Sequence, residues 1–367
     1  MSNARKLADN LPSEGQLGNR NLIINGAMQV AQRGTITGIG ASNATVYTAC
    51  DRFNIYSANS AGRVTASQEA ITDLEGFSSA LKIQCTTADT SVAANELFIL
   101  GQRLEGQNVQ GIQKGFSTAK EVTVSFYAKA NETRVHVLEY YDTDNARQCS
   151  KAFTVTSSWQ RFSLTFPADT TGKHDNDNNN SINFMWHLHS GSDLTSGTLN
   201  SSSFASATSA NRAVGIGSIV ASTNNNFFIT GVQVEVGSQS TPFEHEPVGV
   251  TLKKCQRYYW NTNGFNNRYV TAIKHSSNWY CSFSAPTTMR ANPTPTATGG
   301  STNSFRVWDG DGAAGQSGNP TSISAAASGA ILVVDNASIG SNGEGGLMSF
   351  GDGTNADRIF VALDAEL

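Results

Sequence analysis

The sequence predicts an all-β protein: an antiparallel jelly-roll β-sandwich, then a short helix, then a second, smaller β-sandwich domain. Three observations lead there. Only 15% of the 367 residues are charged and 34 are glycine, with Ser, Thr and Asn dominating the polar positions. That composition suits short strands joined by tight turns better than helices, which would draw on Glu, Lys and Leu. Alternating apolar and polar segments recur as far as residue 237 with turn residues between them, and no long helical period interrupts them. Finally, residues 227–260, FFITGVQVEVGSQSTPFEHEPVGVTLKKCQRYYW, pass from a strand through a proline-bounded connection to a helical stripe, which marks a joint between two β-domains.

Residues 1–20 read as an N-terminal arm. Its short helix carries Ala4, Leu7, Ala8 and Leu11 on one face, and Pro12 and Gly15 stop it. Alone it is too short to persist in water, so Leu7 and Leu11 are the predicted contacts to a partner. Residues 21–240 form the first domain, opening with NLIINGAMQVAQRGT, an apolar strand broken at the turn dipeptide Asn25-Gly26. Further strands are predicted at 51–57, 63–67, 80–85, 96–104, 121–130, 134–141, 148–154, 160–166, 182–189, 213–220 and 228–236. In the last of these Phe228, Val232, Val234 and Val236 read as the apolar face. In 182–189, Ile182, Phe184, Trp186 and Leu188 share the core side, while Asn183, Met185, His187 and His189 face out. The polar stretches 174–181 and 193–210 read as surface loops with little to add to a core.

Residues 241–260 are the joint. Pro242 and Pro247 hold the connection extended, and Val248, Leu252, Cys255 and Tyr259 then recur at helical spacing. A stripe so narrow cannot bury itself, which predicts that it meets its own copies around a threefold axis. Residues 261–367 form the C-terminal β-domain, with strands at 268–274, 278–285, 304–308, 322–324, 330–335 and 357–363.

Several classes are excluded by bulk properties. A net charge of −4 with no basic cluster argues against nucleic-acid binding. No apolar run approaches the ~20 residues of a membrane helix, so no membrane insertion is predicted. The opening MSNARKLADNLPSEG lacks the apolar stretch of a secretory signal, which predicts folding in the cytosol. The five cysteines are dispersed with no CxxC pair, which predicts buried apolar roles. His187 and His189, two apart on one face, offer candidate metal ligands together with His174 or Asp175, and the acidic runs at 174–178 and 309–312 offer oxygens for calcium, but neither run matches the twelve-residue loop ending in Glu, and solvated turns explain them. No metal site, no cofactor and no catalytic residue is predicted. No nucleophile elbow, phosphate loop or zinc-protease motif is present, and Glu244 and Glu246 lie on the structural connection.

Sugar binding needs an aromatic face to stack on a pyranose and polar side chains for its hydroxyls. By strand alternation Trp186 and Trp279 are core residues. Trp308 and Arg306 point away from Phe305 and Val307, and Asp309 and Asp311 follow in a glycine-rich loop. The predicted ligand-binding set is therefore Trp308, Arg306, Asp309 and Asp311.

The stretches NLIINGAMQVAQRGT at 21–35, GVQVEVGSQSTPFEHEPVGVTLKKCQRYYW at 231–260 and FSAPTTMRANPTPT at 283–296, with the terminal ALDAEL, resemble bacteriophage tail and virion-fibre proteins in that order. Gln102-Arg103-Leu104-Glu105 followed by EVTVSFYAKA at 121–130 resembles jelly-roll carbohydrate-binding modules of the cellulose- and xylan-binding type. The resemblance implies a structural virion protein, assembled in the host cytoplasm. It would be a homotrimeric tail fibre or receptor-binding protein that joins other virion proteins through its N-terminal arm and attaches to host-surface glycans without catalysis. A head fibre or capsid decoration protein is the alternative, and a glycan depolymerase the second alternative.

Overall fold

The computed structural model describes residues 19–262, 269–298, 305–309, 316–335, 340–350 and 360–367. The predicted anchor residues Leu7 and Leu11, and Asp311, lie outside the described residues. Two compact units divide between Thr251 and Leu252.

The strands of the first unit are β1 (Ile36–Ile39), β2 (Ala44–Tyr47), β3 (Asn54–Ala58), β4 (Arg63–Ala70), β5 (Ser79–Thr87) and β6 (Leu97–Glu105). They continue with β7 (Val122–Ala130), β8 (Arg134–Asp142), β9 (Arg147–Val155), β10 (Gln160–Phe166) and β11 (Asn180–Ser190). After a single helical turn, α1 (Ser192–Thr195), come β12 (Ala205–Ser206) and β13 (Asn226–Val236). A six-stranded sheet runs β1-β4-β5-β13-β7-β10 and a seven-stranded sheet β12-β9-β8-β11-β6-β3-β2, all pairs antiparallel. The chain crosses between sheets at β1–β2, β3–β4, β5–β6, β6–β7, β7–β8, β9–β10, β10–β11 and β12–β13, the connectivity of a jelly roll.

The sheets close on one core. Trp186 is wholly buried, as its strand parity predicts, and meets Phe126 edge-to-face at 5.6 Å; Phe126 in turn meets Phe153 at 5.1 Å. Edge-to-face contacts of this kind bring positive ring edges to negative faces and add to simple area burial.

Strand β13 corrects the predicted parity. Phe227 and Ile229 are buried, whereas Phe228 is half-exposed, and Val232 and Val234 are buried again. The register to β7 shifts between Thr230 and Gln233, and Gly231 there has φ +60°. This bulge inserts an extra residue and flips which residues face the core. A side chain at 231 would strike Phe77 and Tyr127 at 2.8 Å, so glycine is required.

Two predicted strands are absent. Residues 21–27 form a turn, in which Asn25 has φ +63° and a Cβ at Gly26 would sit 2.0 Å from the Val232 carbonyl. The segment docks through Asn21, whose Nδ2 donates to Val232 O at 3.0 Å and whose Oδ1 accepts from Val234 N at 3.0 Å. Residues 213–220 bond singly to several elements, Ala213 to Leu194, Gly217 to Val135 and Asp89 to Val220, so no ladder forms. The connection after β13 is held by Glu244, whose carboxylate accepts the backbone N–H groups of Asn19, Arg20 and Asn21 at 2.7, 2.8 and 3.0 Å.

Helix α2 (Val248–Gln256) ends earlier than the sequence stripe predicts. The chain turns at Arg257-Tyr258, and Tyr259 opens a strand paired with Asp364. Cys255 and Tyr259 are buried within the chain, which removes them from the predicted trimer seam; Val248, 56% exposed, and half-buried Leu252 remain accessible.

The second unit is again antiparallel β. Its strands are β14 (Tyr259–Asn261), β15 (Tyr269–His275), β16 (Asn278–Ser284), β17 (Thr294–Thr298) and β18 (Phe305–Asp309), then β19 (Gln316–Ala326), β20 (Gly329–Asp335), β21 (Gly345–Phe350) and β22 (Phe360–Asp364). The main sheet closes as a barrel, β15-β16-β20-β19-β18-β21, and β14-β22-β17 form a separate sheet. Closure leaves the barrel no edge and lets a small set of apolar groups, led by Trp279, Phe305, Leu332 and Met348, form its core. Trp279 is wholly buried, as predicted.

All five cysteines are free and buried; burial pushes the Cys149 thiol up to about 11, far from a reactive thiolate. Among the described residues no helix is long and apolar enough to cross a membrane.

Candidate functional site

The outer face of the seven-stranded sheet carries an open groove. Cross-strand register builds it row by row: Met185 opposite Gly101 opposite Asn54, and His187 opposite Ile99 opposite Tyr56 opposite Thr45, with Asn183 opposite Arg103. Because side chains alternate across a strand, these residues from β2, β3, β6 and β11 all rise on one side. Thr45, Asn54, Tyr56, Ile99, Gly101, Arg103, Asn183 and Met185 line a cavity of about 150 Å³. Gly101 is its floor, and a Cβ there would come to 3.0 Å from Asn183 Oδ1.

The chemistry of this lining is mixed in the way a sugar needs. Tyr56, 40% exposed, offers an aromatic face, and Ile99 and Met185 give apolar surface. Arg103 is steadied by a hydrogen bond from Nη2 to Thr45 Oγ1 at 3.1 Å. Asn54 Nδ2, Asn183 Oδ1 and Arg103 Nε are shielded and have no hydrogen-bond partner within the protein. Unpaired polar atoms of this kind cost free energy.

The rest of this face is covered by the segment that follows β11. Residues 193–210 of it, predicted as a surface loop with little to add to a core, bury Leu194 and Phe204, and Phe204 reaches the core side to meet Tyr140 at 4.9 Å; residues 213–220, predicted as a strand, bury Ala213 and Ile219. His187 faces outward as predicted, whereas a bulge between His187 and His189 sets His189 opposite Phe98 on the core side. Both are buried and each meets a carboxylate: His187 Nε2 lies 2.8 Å from Glu139 and His189 Nε2 3.1 Å from Glu96. Glu139 also accepts from Arg212 at 2.8 and 3.0 Å. Burial pushes the Glu139 carboxyl up, but Arg212 and His187 outweigh it and hold the group below its usual range. Burial lowers His189, which keeps it neutral. The Arg212–Glu139 pair locks the cover in place and forms the wall beside Met185.

Of the predicted ligand-binding residues, Trp308 is half-buried beside Leu347 on the outer side of the barrel, away from wholly buried Phe305 and Val307. Asp309 is half-buried at the same strand end, and Arg306, between Phe305 and Val307, is in register with Ser349. An aromatic position that sequence reading passed over is Trp159, outside the six-stranded sheet: Lys129 Nζ sits 4.8 Å over its ring, Phe228 is 6.3 Å away and its Nε1 donates to Asp73 at 2.9 Å. The polar neighbours of Trp159 in sequence were the one signal for it. Of the groove residues the sequence marked only Arg103, in the stretch resembling a carbohydrate module, and the outward side of Asn183 and Met185; the rest carried no signal.

No family model matches the chain, and no curated protein matches it. Solved structures similar to it include a CBM4 module at 13% identity and TM-score 0.32, covering 58% of this chain and 97% of that one. The family 11 carbohydrate-binding module of Clostridium thermocellum, in complex with a β-1,3-1,4-mixed-linked tetrasaccharide, is similar at 12% identity and TM-score 0.27, covering 57% of this chain and 98% of that one. The enzymatically active domain of bacteriophage CBA120 tailspike protein 4 is similar at 10% identity and TM-score 0.31, covering 59% of this chain and 21% of that one.

Proposed function

We propose that this chain is a non-enzymatic glycan-binding protein of a bacteriophage virion, a trimeric tail fibre or receptor-binding protein that attaches to host-surface glycans through the groove of its seven-stranded sheet. The observation that carries the binding role is the groove itself, where Tyr56 flanks a glycine floor lined by the polar side chains of Asn54, Asn183 and Arg103. The virion role rests on the resemblance of residues 21–35, 231–260 and 283–296 to virion-fibre proteins. Binding without cleavage is supported by the lining, which contains no carboxylate, whereas glycoside hydrolysis needs two. Glu139, on the same face, is committed to Arg212 and His187.

Glycan-array screening followed by titration tests this reading. Tyr56→Ala and Asn183→Ala are each expected to weaken binding by about tenfold, as for the loss of one stacking face or one hydrogen bond. Wild-type affinity in both variants would remove the groove from the reading. Trp308→Ala separates the two locations: the groove reading expects unchanged affinity, and loss there alone would move the site to the C-terminal domain.

Trimerisation is open to sedimentation. The chain mass is 38.9 kDa, so a trimer sediments at three times that value, and Leu252→Asp on the accessible side of α2 is expected to return it to the single-chain mass. A wild-type mass near 38.9 kDa would refute the trimer.

A further inference from the structure

Remote from the covering segment's ion pairs, the tip of the β8–β9 hairpin brings Asp142 and Asp144 to His174, whose imidazole is nearly buried. His174 Nδ1 lies 3.5 Å from Asp142 Oδ1 and 3.4 Å from Asp144 Oδ2, and it has no hydrogen-bond partner. Those separations are long for hydrogen bonds between such groups. They match instead the edges of a tetrahedron: with zinc–donor bonds of about 2.1 Å, neighbouring donors stand about 3.4 Å apart.

The surroundings fit an ion as well. The far ring nitrogen, Nε2, meets the hydroxyl of Tyr140 at 3.1 Å, the outer contact that orients a ligating imidazole and leaves Nδ1 free to donate its lone pair. Lys114 Nζ does not occupy the gap. It sits against the other oxygen of Asp142 at 2.6 Å, reaches Asp169 at 3.2 Å and donates to the Thr171 and Gly172 carbonyls. Arg147 takes the rest of Asp169 at 2.7 Å. Lys114 and Arg147 thus offset Asp142 and Asp169, which leaves Asp144 as uncompensated negative charge beside the imidazole. Asn145 donates to Asp142, and the Asp175 N–H donates to Asp144 at 3.0 Å, so both carboxylates are held in place. The Asp144 side chain is 13% exposed, which leaves water a path to complete the coordination shell.

We infer that Asp142, Asp144 and His174 form a binding site for one divalent zinc-class ion, which ties the hairpin tip to the loop that carries His174. One imidazole and two carboxylates suit zinc, whereas an all-oxygen shell would suit calcium. The ion lies outside the glycan groove, and its role is to fasten the loop.

Calorimetric titration of the full chain, stripped with a chelator, tests this with zinc chloride as the probe. The expected result is one zinc per chain, with a raised unfolding temperature. Asp144→Asn, at a turn where folding is undisturbed, is expected to weaken zinc at least tenfold and to abolish the thermal shift; Tyr140→Phe, which keeps the ring and removes the outer contact, is expected to weaken it about tenfold. Saturable zinc uptake that Asp144→Asn leaves unchanged, no saturable uptake at all, or calcium binding as tight as zinc would each overturn the inference.

Discussion

An Arg212→Ala variant is expected to lose about 3 kcal/mol of folding stability. Glu139 is wholly buried and receives two hydrogen bonds from the Arg212 guanidinium and one from His187. Without the guanidinium, a carboxylate that water cannot reach keeps only an imidazole as partner. The arginine side chain is itself 21% exposed, which places the loss at the lower end for broken buried pairs. Urea unfolding with an unchanged slope measures it. Glu139→Gln with Arg212→Met leaves no buried charge and is expected to recover more than half of the loss. A single variant within about 0.5 kcal/mol of wild type would mean that water replaces the guanidinium and would defeat the prediction. Met185 pairs with Glu139 across β8 and β11 and lines the groove, so the same variant is expected to weaken glycan binding.

Acid is expected to destabilise the first unit through His136. This side chain is wholly buried between Phe153 and Phe227, at ring distances of 5.9 and 5.1 Å, and donates from Nδ1 to the His187 carbonyl at 3.1 Å. Burial, with the Arg134 charge adding to it, lowers its pKa from 6.5 to about 3. The unfolded chain therefore takes up a proton near pH 6.5 that the folded chain refuses until about pH 3. Stability is full above pH 6.5 and falls as pH drops through that window, by about 2 kcal/mol between pH 7 and pH 5 from this one group. His136→Phe keeps the aromatic packing and removes the titration, so the difference between its unfolding free energies at those two pH values is expected to shrink by the same amount. His174 and His189 are lowered as well, which leaves the variant a residual acid slope. An unaltered slope in His136→Phe would show that other groups carry the acid sensitivity.

Much of the fold was legible because alternation is a local property. Trp186 and Trp279 could be assigned to the core from their own strands, since the pleat alone decides which neighbours share a face. The same rule failed at Phe228, where a bulge at Gly231 shifts the phase, and a glycine in a strand does not announce whether it bulges. The stripe Val248–Leu252–Cys255–Tyr259 had helical spacing throughout, yet the ladder from Tyr259 to Asp364 pulled the last turn into a strand. His187 was correctly placed on the outer face, but a bulge turns His189 to the side of Phe98, and nothing local told that residues 191–221 would supply Arg212 to Glu139 and Ser218 to His189.

The candidate groove lay largely beyond sequence reading for a related reason. Tyr56, Gly101 and Asn183 look like any solvent-facing strand positions in the chain, and only the order β11-β6-β3-β2 and its register set them side by side. Sequence by itself determined the class, the strand-rich composition and most core faces, because those follow from residue volume, hydrophobicity and a period of two. Tertiary structure alone decided which outer faces stay open and which are covered. It also decided which buried charges find partners, because those depend on contacts between residues far apart in the chain.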